Sequence, residues 1–238
     1  MDHGYRGVAL IFNHENFDSP FLNSRRGTSK DATDLRDVLS KLGFRVDLYN
    51  DQSKNEIFEI INIVSKMDHS QNDCLIVAIM THGKSNGKLY AKDYEYSIDT
   101  IVEEFSGRRC STLVGKPKLF FIQACRGEKT DPGAVLRTDS ANTNNIQRIP
   151  VMADILIMYA TVEGYYAWRD TKNGSWFIQT LAKQLEKHYK TKELLYILTA
   201  VNRHVAFGYT SASSHPDFDK KKEMSSIVSM LTKSLYFK

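Results

Sequence analysis

The chain has 238 residues, 42% of them hydrophobic and 25% charged, and a formal net charge of +4. These values exclude a disordered, collagen-like or low-complexity chain. The small positive excess makes no case for nucleic acid as a partner. Length allows one large domain or two small ones, at ~100–200 residues each.

No apolar run nears the ~20 residues of a membrane helix. The longest, Cys74 to Met80, suits a buried strand. Met1 to Arg6 has no apolar signal-peptide core behind it. Three cysteines make no disulfide framework and point to a reducing compartment, so the expected location is cytoplasmic. No cofactor or metal set is read from the chain.

In chain order, Val8 to Phe12 is a short apolar run, as a strand buried on both faces requires. Leu35, Val38, Leu39 and Leu42 fall on one helical stripe within Asp31 to Leu42, and Gly43 supplies the stop. Phe44 to Tyr49 alternates like a strand. Ser53-Lys54-Asn55-Glu56 reads as a capping box before a helix carrying Ile57, Ile60, Ile61 and Val64. Strands follow at Cys74 to Met80 and Leu119 to Ile122.

This alternation predicts a mostly parallel sheet covered by helices, with sites at the carboxyl ends of strands. Glu128 to Pro150 is polar and Gly/Asn/Thr-rich, a long exposed linker. Ala153 to Ala160 then reads as a strand, Phe177 to Tyr189 and Glu193 to Val205 as helices, and Ile227 to Leu231 as a last strand. The part after the linker has too few strands for its own sheet, so one composite domain is expected.

Two residues stand just past predicted strands. Cys125 lies in Gln123-Ala124-Cys125-Arg126-Gly127, with polar flanks and a cation beside it, which favours the thiolate. Cys74 and Cys110 read as small buried residues. His82 lies in Thr81-His82-Gly83 and would meet Cys125 above the sheet. Gln-Ala-Cys-Arg-Gly with a histidine about 50 residues upstream is a known caspase signature.

The chain resembles a caspase of the executioner branch. The resemblance rests on Ser24-Arg25-Arg26-Gly27-Thr28, Thr81-His82-Gly83, Lys116 to Phe120, Gln123 to Gly127, Gly164 to Arg169, Gly174 to Gln179 and Val228 to Thr232, in order along almost the whole chain. It implies a caspase-like α/β sandwich: a mostly parallel six-stranded sheet flanked by helices, in a dimer of large/small-subunit heterodimers. It also implies cleavage of proteins after aspartate in apoptotic execution.

By that resemblance Cys125 is the nucleophile and His82 handles the proton. The backbone N–H groups of Gly83 and Cys125 hold the oxyanion, and a carbonyl near Asn23 orients the imidazole. Arg25, Gln123 and Arg169 form the aspartate pocket. Hydrogen bonds to charged groups, at ~1.5–3 kcal/mol each, would account for selection of Asp over Asn. Tyr166, Trp168 and Phe218 wall the P2 pocket, and Trp176 belongs to the P4 pocket. Tyr165 and Phe177 are left as core, and Lys220-Lys221-Lys222 as a solvated turn.

Processing is expected after Asp139, in Arg137-Thr138-Asp139-Ser140, while Pro132 should block a cut after Asp131. The products would be a large subunit, 1–139, and a small one, 140–238. These would pair through Ile227 to Leu231 into a two-fold homodimer. Further implied partners are protein substrates with P1 Asp, an upstream caspase and inhibitor-of-apoptosis-type inhibitors, with no membrane.

Three positions depart from the executioner pattern. Ala212 and Ser214, in the loop Phe207 to Asp219, stand where relatives carry phenylalanines, and Asp170 stands at a position often held by asparagine. Together they predict altered P4 and P5 selection, with an acidic P4 disfavoured by like charge. Two alternatives stand beside this reading: a metacaspase-like protease, which would need acids where Arg25 and Arg169 stand, and an inactive scaffold, which would have lost Cys125 or His82.

Overall fold

The computed structural model describes residues 3–127 and 150–237. Asp131 and Asp139 therefore lie outside the described residues. The elements in order are β1 (Tyr5–Asn13), α1 (Thr28–Lys41), β2 (Arg45–Asn50), α2 (Lys54–Ser65), β3 (Asn72–Met80), β4 (Lys88–Tyr90), β5 (Glu95–Ser97), α3 (Ile98–Glu104) and β6 (Lys118–Gln123). After residue 150 come β7 (Ile155–Tyr159), β8 (Arg169–Asp170), β9 (Gly174–Ser175), α4 (Trp176–His188), α5 (Leu194–Gly208) and β10 (Ser226–Ser229).

Six strands form one sheet in the order β10-β7-β6-β3-β1-β2. All neighbours are parallel except β10, which runs antiparallel to β7. The pairing of β6 with β7 joins the segments before and after the linker in one sheet.

Alternation along the inner strands builds two cores. Ile76, Ala78 and Phe121 point to the face covered by α1, α4 and α5. Leu75, Val77 and Phe120 point to the face covered by α2 and α3. Burying each large side chain is worth ~1.5–3 kcal/mol, and Phe120 and Phe121 are both fully buried.

The expected capping box is present: Ser53 Oγ accepts from Glu56 N, and the Glu56 carboxylate accepts from Ser53 N. Strand and helix ends fall within a few residues of the expected ones. The sequence reading omitted β4, β5 and α3. Each of those two strands has three residues and buries one side chain, Leu89 or Tyr96, which is too short for any period to show. It also omitted the two-residue pair β8–β9, which carries Arg169. The loop expected from Phe207 begins two residues later, because Phe207 and Gly208 close α5.

Candidate active site

The adjacent parallel strands β3 and β6 end together, with Met80 opposite Gln123. Past the strand ends Thr81 N still donates to Gln123 O at 3.0 Å, so the chains carrying His82 and Cys125 leave the sheet side by side. Gly83 lies against the Cys125 backbone. A Cβ at Gly83 would stand 2.4 Å from Cys125 O, so no other residue fits there without moving the cysteine.

His82 is held from a third loop, between β1 and α1. Its Nε2 lies 2.7 Å from Asn23 O. A carbonyl only accepts, so Nε2 carries the proton and Nδ1 is the basic nitrogen. Phe17 packs on the imidazole with ring centroids 4.9 Å apart. Asp51 secures this loop by accepting from Glu15 N at 2.7 Å and Asn16 N at 3.0 Å.

Arg25 starts the cationic side. It is buried, and its Nη1 donates to His14 O at 2.8 Å and to Thr28 Oγ1 at 3.0 Å. Arg169, on β8, donates from Nη1 to Arg26 O at 2.9 Å. Gly27 lets the two approach. It has φ of 90°, and a Cβ there would stand 2.7 Å from Asp170 O.

Burial, with Arg169 beside it, lowers Arg25 to about 9, so both guanidiniums stay charged at neutral pH. Asp31, on α1, is the buried carboxyl nearby. It accepts from Ser175 N at 2.9 Å and Gln179 Nε2 at 3.0 Å, while burial pushes its pKa up to about 6.

Arg25, Arg169, Gln123, His82 and Cys125 line one cleft of about 300 Å³. Tyr166, Trp168 and Phe218 line the same cleft, with Tyr166–Trp168 centroids 5.3 Å apart and Trp168–Phe218 centroids 6.2 Å apart. Trp176 lies behind Trp168, stacked on it at 5.7 Å, and faces a neighbouring cleft of about 680 Å³ between α1 and α4. Asp170 lines that second cleft, with its carboxylate accepting from Lys172 N at 2.8 Å and Asn173 N at 2.7 Å. Ala212 and Ser214 are exposed.

Four expectations need correction. Arg126 does not serve Cys125: its guanidinium pairs with Glu163 at 2.5 Å and covers the Tyr159 ring at 4.0 Å. Nor is Cys125 a preformed thiolate. Burial raises its pKa, and the lowering by the Ala167 backbone contact, Arg25 and Arg169 does not offset that. Tyr165 is half-buried, not core, whereas Phe177 is fully buried. Lys222 is more than a solvated group, because its Nζ donates to Tyr209 O at 2.6 Å and braces the loop.

Cys74 and Cys110 are buried as expected. The sequence reading missed Phe17, Asp31 and Glu223. Phe17 carries no signal of its own. Asp31 and Glu223 read as ordinary charged positions until burial is known.

The family profile described as Caspase domain matches residues 6–236. The chain belongs to the caspase family. It is 44% identical over 243 residues to Caspase-1 of Drosophila melanogaster, covering 100% of this chain and 75% of that protein. It is 43% identical to Caspase-3 of Xenopus laevis, covering 97% of this chain and 80% of that protein. The crystal structure of Caspase-1 from Spodoptera frugiperda superposes with a TM-score of 0.93 at 44% identity, covering 99% of this chain and 93% of that one.

The chain is accordingly an aspartate-specific cysteine endopeptidase of the effector kind, acting in apoptosis. No comparison favours the scaffold or the metacaspase-like alternative. No helix among the described residues is long and apolar enough to cross a membrane.

Proposed function

We propose that the 300 Å³ cleft is the catalytic and P1 site, with each residue in the role its position supports. The observation that carries this reading is that one cleft holds a thiol, an imidazole and two guanidiniums. Cys125 and His82 start as a neutral pair, since burial raises the thiol and lowers the imidazole. Proton transfer from Sγ to Nδ1 accompanies attack of sulfur on the carbonyl carbon that follows the P1 aspartate side chain.

The carbonyl electron pair moves to oxygen, where the N–H groups of Gly83 and Cys125 donate to it. Collapse expels the amine, which takes the proton from His82 and leaves a thioester. Water then hydrolyses the thioester, restoring the thiol. Asn23 O holds the imidazolium in place while it carries the charge.

Arg25, Gln123 and Arg169 bind the P1 carboxylate. Tyr166, Trp168 and Phe218 take the P2 side chain, and Trp176 the P4 side chain. Asp170 disfavours an acidic P4 residue by like charge, and the missing aromatics at Ala212 and Ser214 alter P4 and P5 selection. Cleavage after Asp139 by an upstream caspase separates a large subunit, 1–139, from a small one, 140–238, and the linker is 128–150.

β10 is a sheet edge with Val228 47% exposed, and two copies pairing there would extend the sheet and remove that edge. The working place is the cytoplasm, and inhibitor-of-apoptosis-type proteins would block the same cleft.

The test is active-site protection. A tetrapeptide aldehyde with P1 Asp should shield Cys125 from iodoacetamide, and its P1 Asn counterpart should not. Equal shielding by both would contradict the assigned pocket. Intact-mass analysis of wild type and Asp139→Ala should show two fragments and one, respectively; fragments from both would move the cut elsewhere.

A further inference from the structure

The wall from Tyr166 to Arg169 is the part of the cleft that a substrate backbone would meet. Trp168 O accepts from Trp176 N at 3.3 Å, and Arg169 stands directly opposite Ser175 in the β8–β9 pair. Successive residues of an extended chain turn their backbone groups to opposite sides. The groups of Trp168 therefore face away from the cleft, and those of Ala167 and Arg169 face into it. Ala167 O lies 3.9 Å from Cys125 Sγ, which fits that orientation.

Trp168 N has one partner, the Glu223 carboxyl. Glu223 is 2% exposed and comes from the segment leading into β10. Its neighbours fix it: Lys222 Nζ donates to Tyr209 O, and Ser225 Oγ donates to Asn202 Oδ1 on α5 at 2.6 Å. Its other oxygen, Oε1, is buried with no partner among the described residues. Burial of the group raises its pKa well above the usual carboxyl range. A buried carboxyl with one unpaired oxygen costs stability that an apolar side chain would not.

We propose that Glu223 is a positioning residue for substrate. By holding Trp168 N it sets the twist of the Tyr166–Arg169 segment, so that Ala167 and Arg169 turn their backbone groups towards an incoming peptide. The peptide pairs there as an added strand, and its P1 side chain drops between Arg25 and Arg169. This rests on the reading of the cleft given above.

The experiment compares Glu223→Leu and Glu223→Gln with wild type on a P1-Asp tetrapeptide reporter. Leucine fills the space without accepting a hydrogen bond, whereas glutamine keeps an acceptor for Trp168 N. Glu223→Leu should raise KM about tenfold with kcat little changed, and Glu223→Gln should restore wild-type KM. Iodoacetamide should alkylate Cys125 at the same rate in all three, and the melting temperature of Glu223→Leu should not fall, because a buried carboxyl has been removed.

An unchanged KM in Glu223→Leu would overturn the proposal. So would a Glu223→Gln enzyme as impaired as Glu223→Leu, or a parallel loss of KM, alkylation rate and melting temperature. Failure of the underlying cleft reading would show separately, as loss of P1-Asp preference in the wild-type enzyme.

Discussion

Arg25 and Arg169 face the same cleft but are held by opposite kinds of structure. Arg25 lies in the β1–α1 loop, buried, with its guanidinium tied to His14 O and Thr28 Oγ1. Arg169 sits on a two-residue strand, half-exposed, reaching one carbonyl at Arg26. The same division runs through the whole site. His82 and Cys125 stand just past the ends of neighbouring strands of the six-stranded sheet, while Tyr166 to Trp176 depends on a short hairpin and two buried carboxyls. On the proposed assignment, the chemistry is placed by the core, and recognition by a few hydrogen bonds that substitution can remove singly. Changes on the sheet side should act on kcat, and changes on the hairpin side on KM.

The largest effect is expected at the sheet end. Cys125→Ala should lower kcat/KM by at least about 10⁴-fold with an unchanged melting temperature, since a half-buried thiol contributes little packing. Single-turnover kinetics and a thermal melt check both halves.

The arginine pair comes next. Arg25→Ala should lower kcat/KM by about 10²–10⁴-fold, the loss of two charged hydrogen bonds to substrate. It should also lower the melting temperature, because it leaves His14 O without its donor in the interior and leaves Thr28 Oγ1 with only its bond to Asn13. Arg169→Ala should lower kcat/KM comparably and leave the melting temperature nearly unchanged. Arg169→Lys should recover little, because an ammonium lacks the planar fork. Equal melting temperatures for the two alanine variants would remove the contrast between buried and exposed partner.

A smaller effect separates the two arginines by charge. Since burial raises the Cys125 thiol, its alkylation rate should climb with pH, with a midpoint above the ordinary thiol value. Arg25 opposes that rise more than Arg169 does, so Arg25→Ala should move the midpoint further up than Arg169→Ala. A pH–rate profile for iodoacetamide reads both shifts.

The smallest effect lies in the acid range. Burial lowers His14 to about 4, so the folded state loses stability as pH falls from about 6.5 towards 4, where the unfolded chain binds the proton first. Burial raises Asp31 to about 6, so its contribution has the opposite slope: the folded state gains as pH falls through about 6. The two slopes offset each other in wild type. Asp31→Asn should leave the His14 slope exposed, with a steeper fall in melting temperature between pH 6.5 and 4.5. A curve parallel to wild type would contradict the assignment.

Short continuous apolar runs made the sheet legible, because the central residues of β1, β3 and β6 are apolar and buried on both faces. The motif Gln123 to Gly127 and the pair His82-Gly83 marked the strand ends for the same reason: polar residues that end an apolar run must emerge from the sheet. The hairpin β8–β9 was not legible, since two-residue strands have no period. The protonation of Cys125 was misread because adjacency in sequence put Arg126 beside it, whereas the chain turns Arg126 towards Glu163 and Tyr159. Asp31 and Glu223 were invisible because their importance comes from burial by segments far away in the chain.

The proposed P1 site rests on Arg25, Gln123 and Arg169 reading the substrate carboxylate together. The most direct measurement is kcat/KM for tetrapeptide reporters that differ only at P1, carrying Asp, Glu, Asn or Arg, on wild type and on Arg169→Ala. Wild type should prefer Asp strongly over all three, and the Asp-to-Asn ratio should collapse in the variant. Turnover of the Arg peptide by wild type, or an Asp-to-Asn ratio untouched by the substitution, would contradict it.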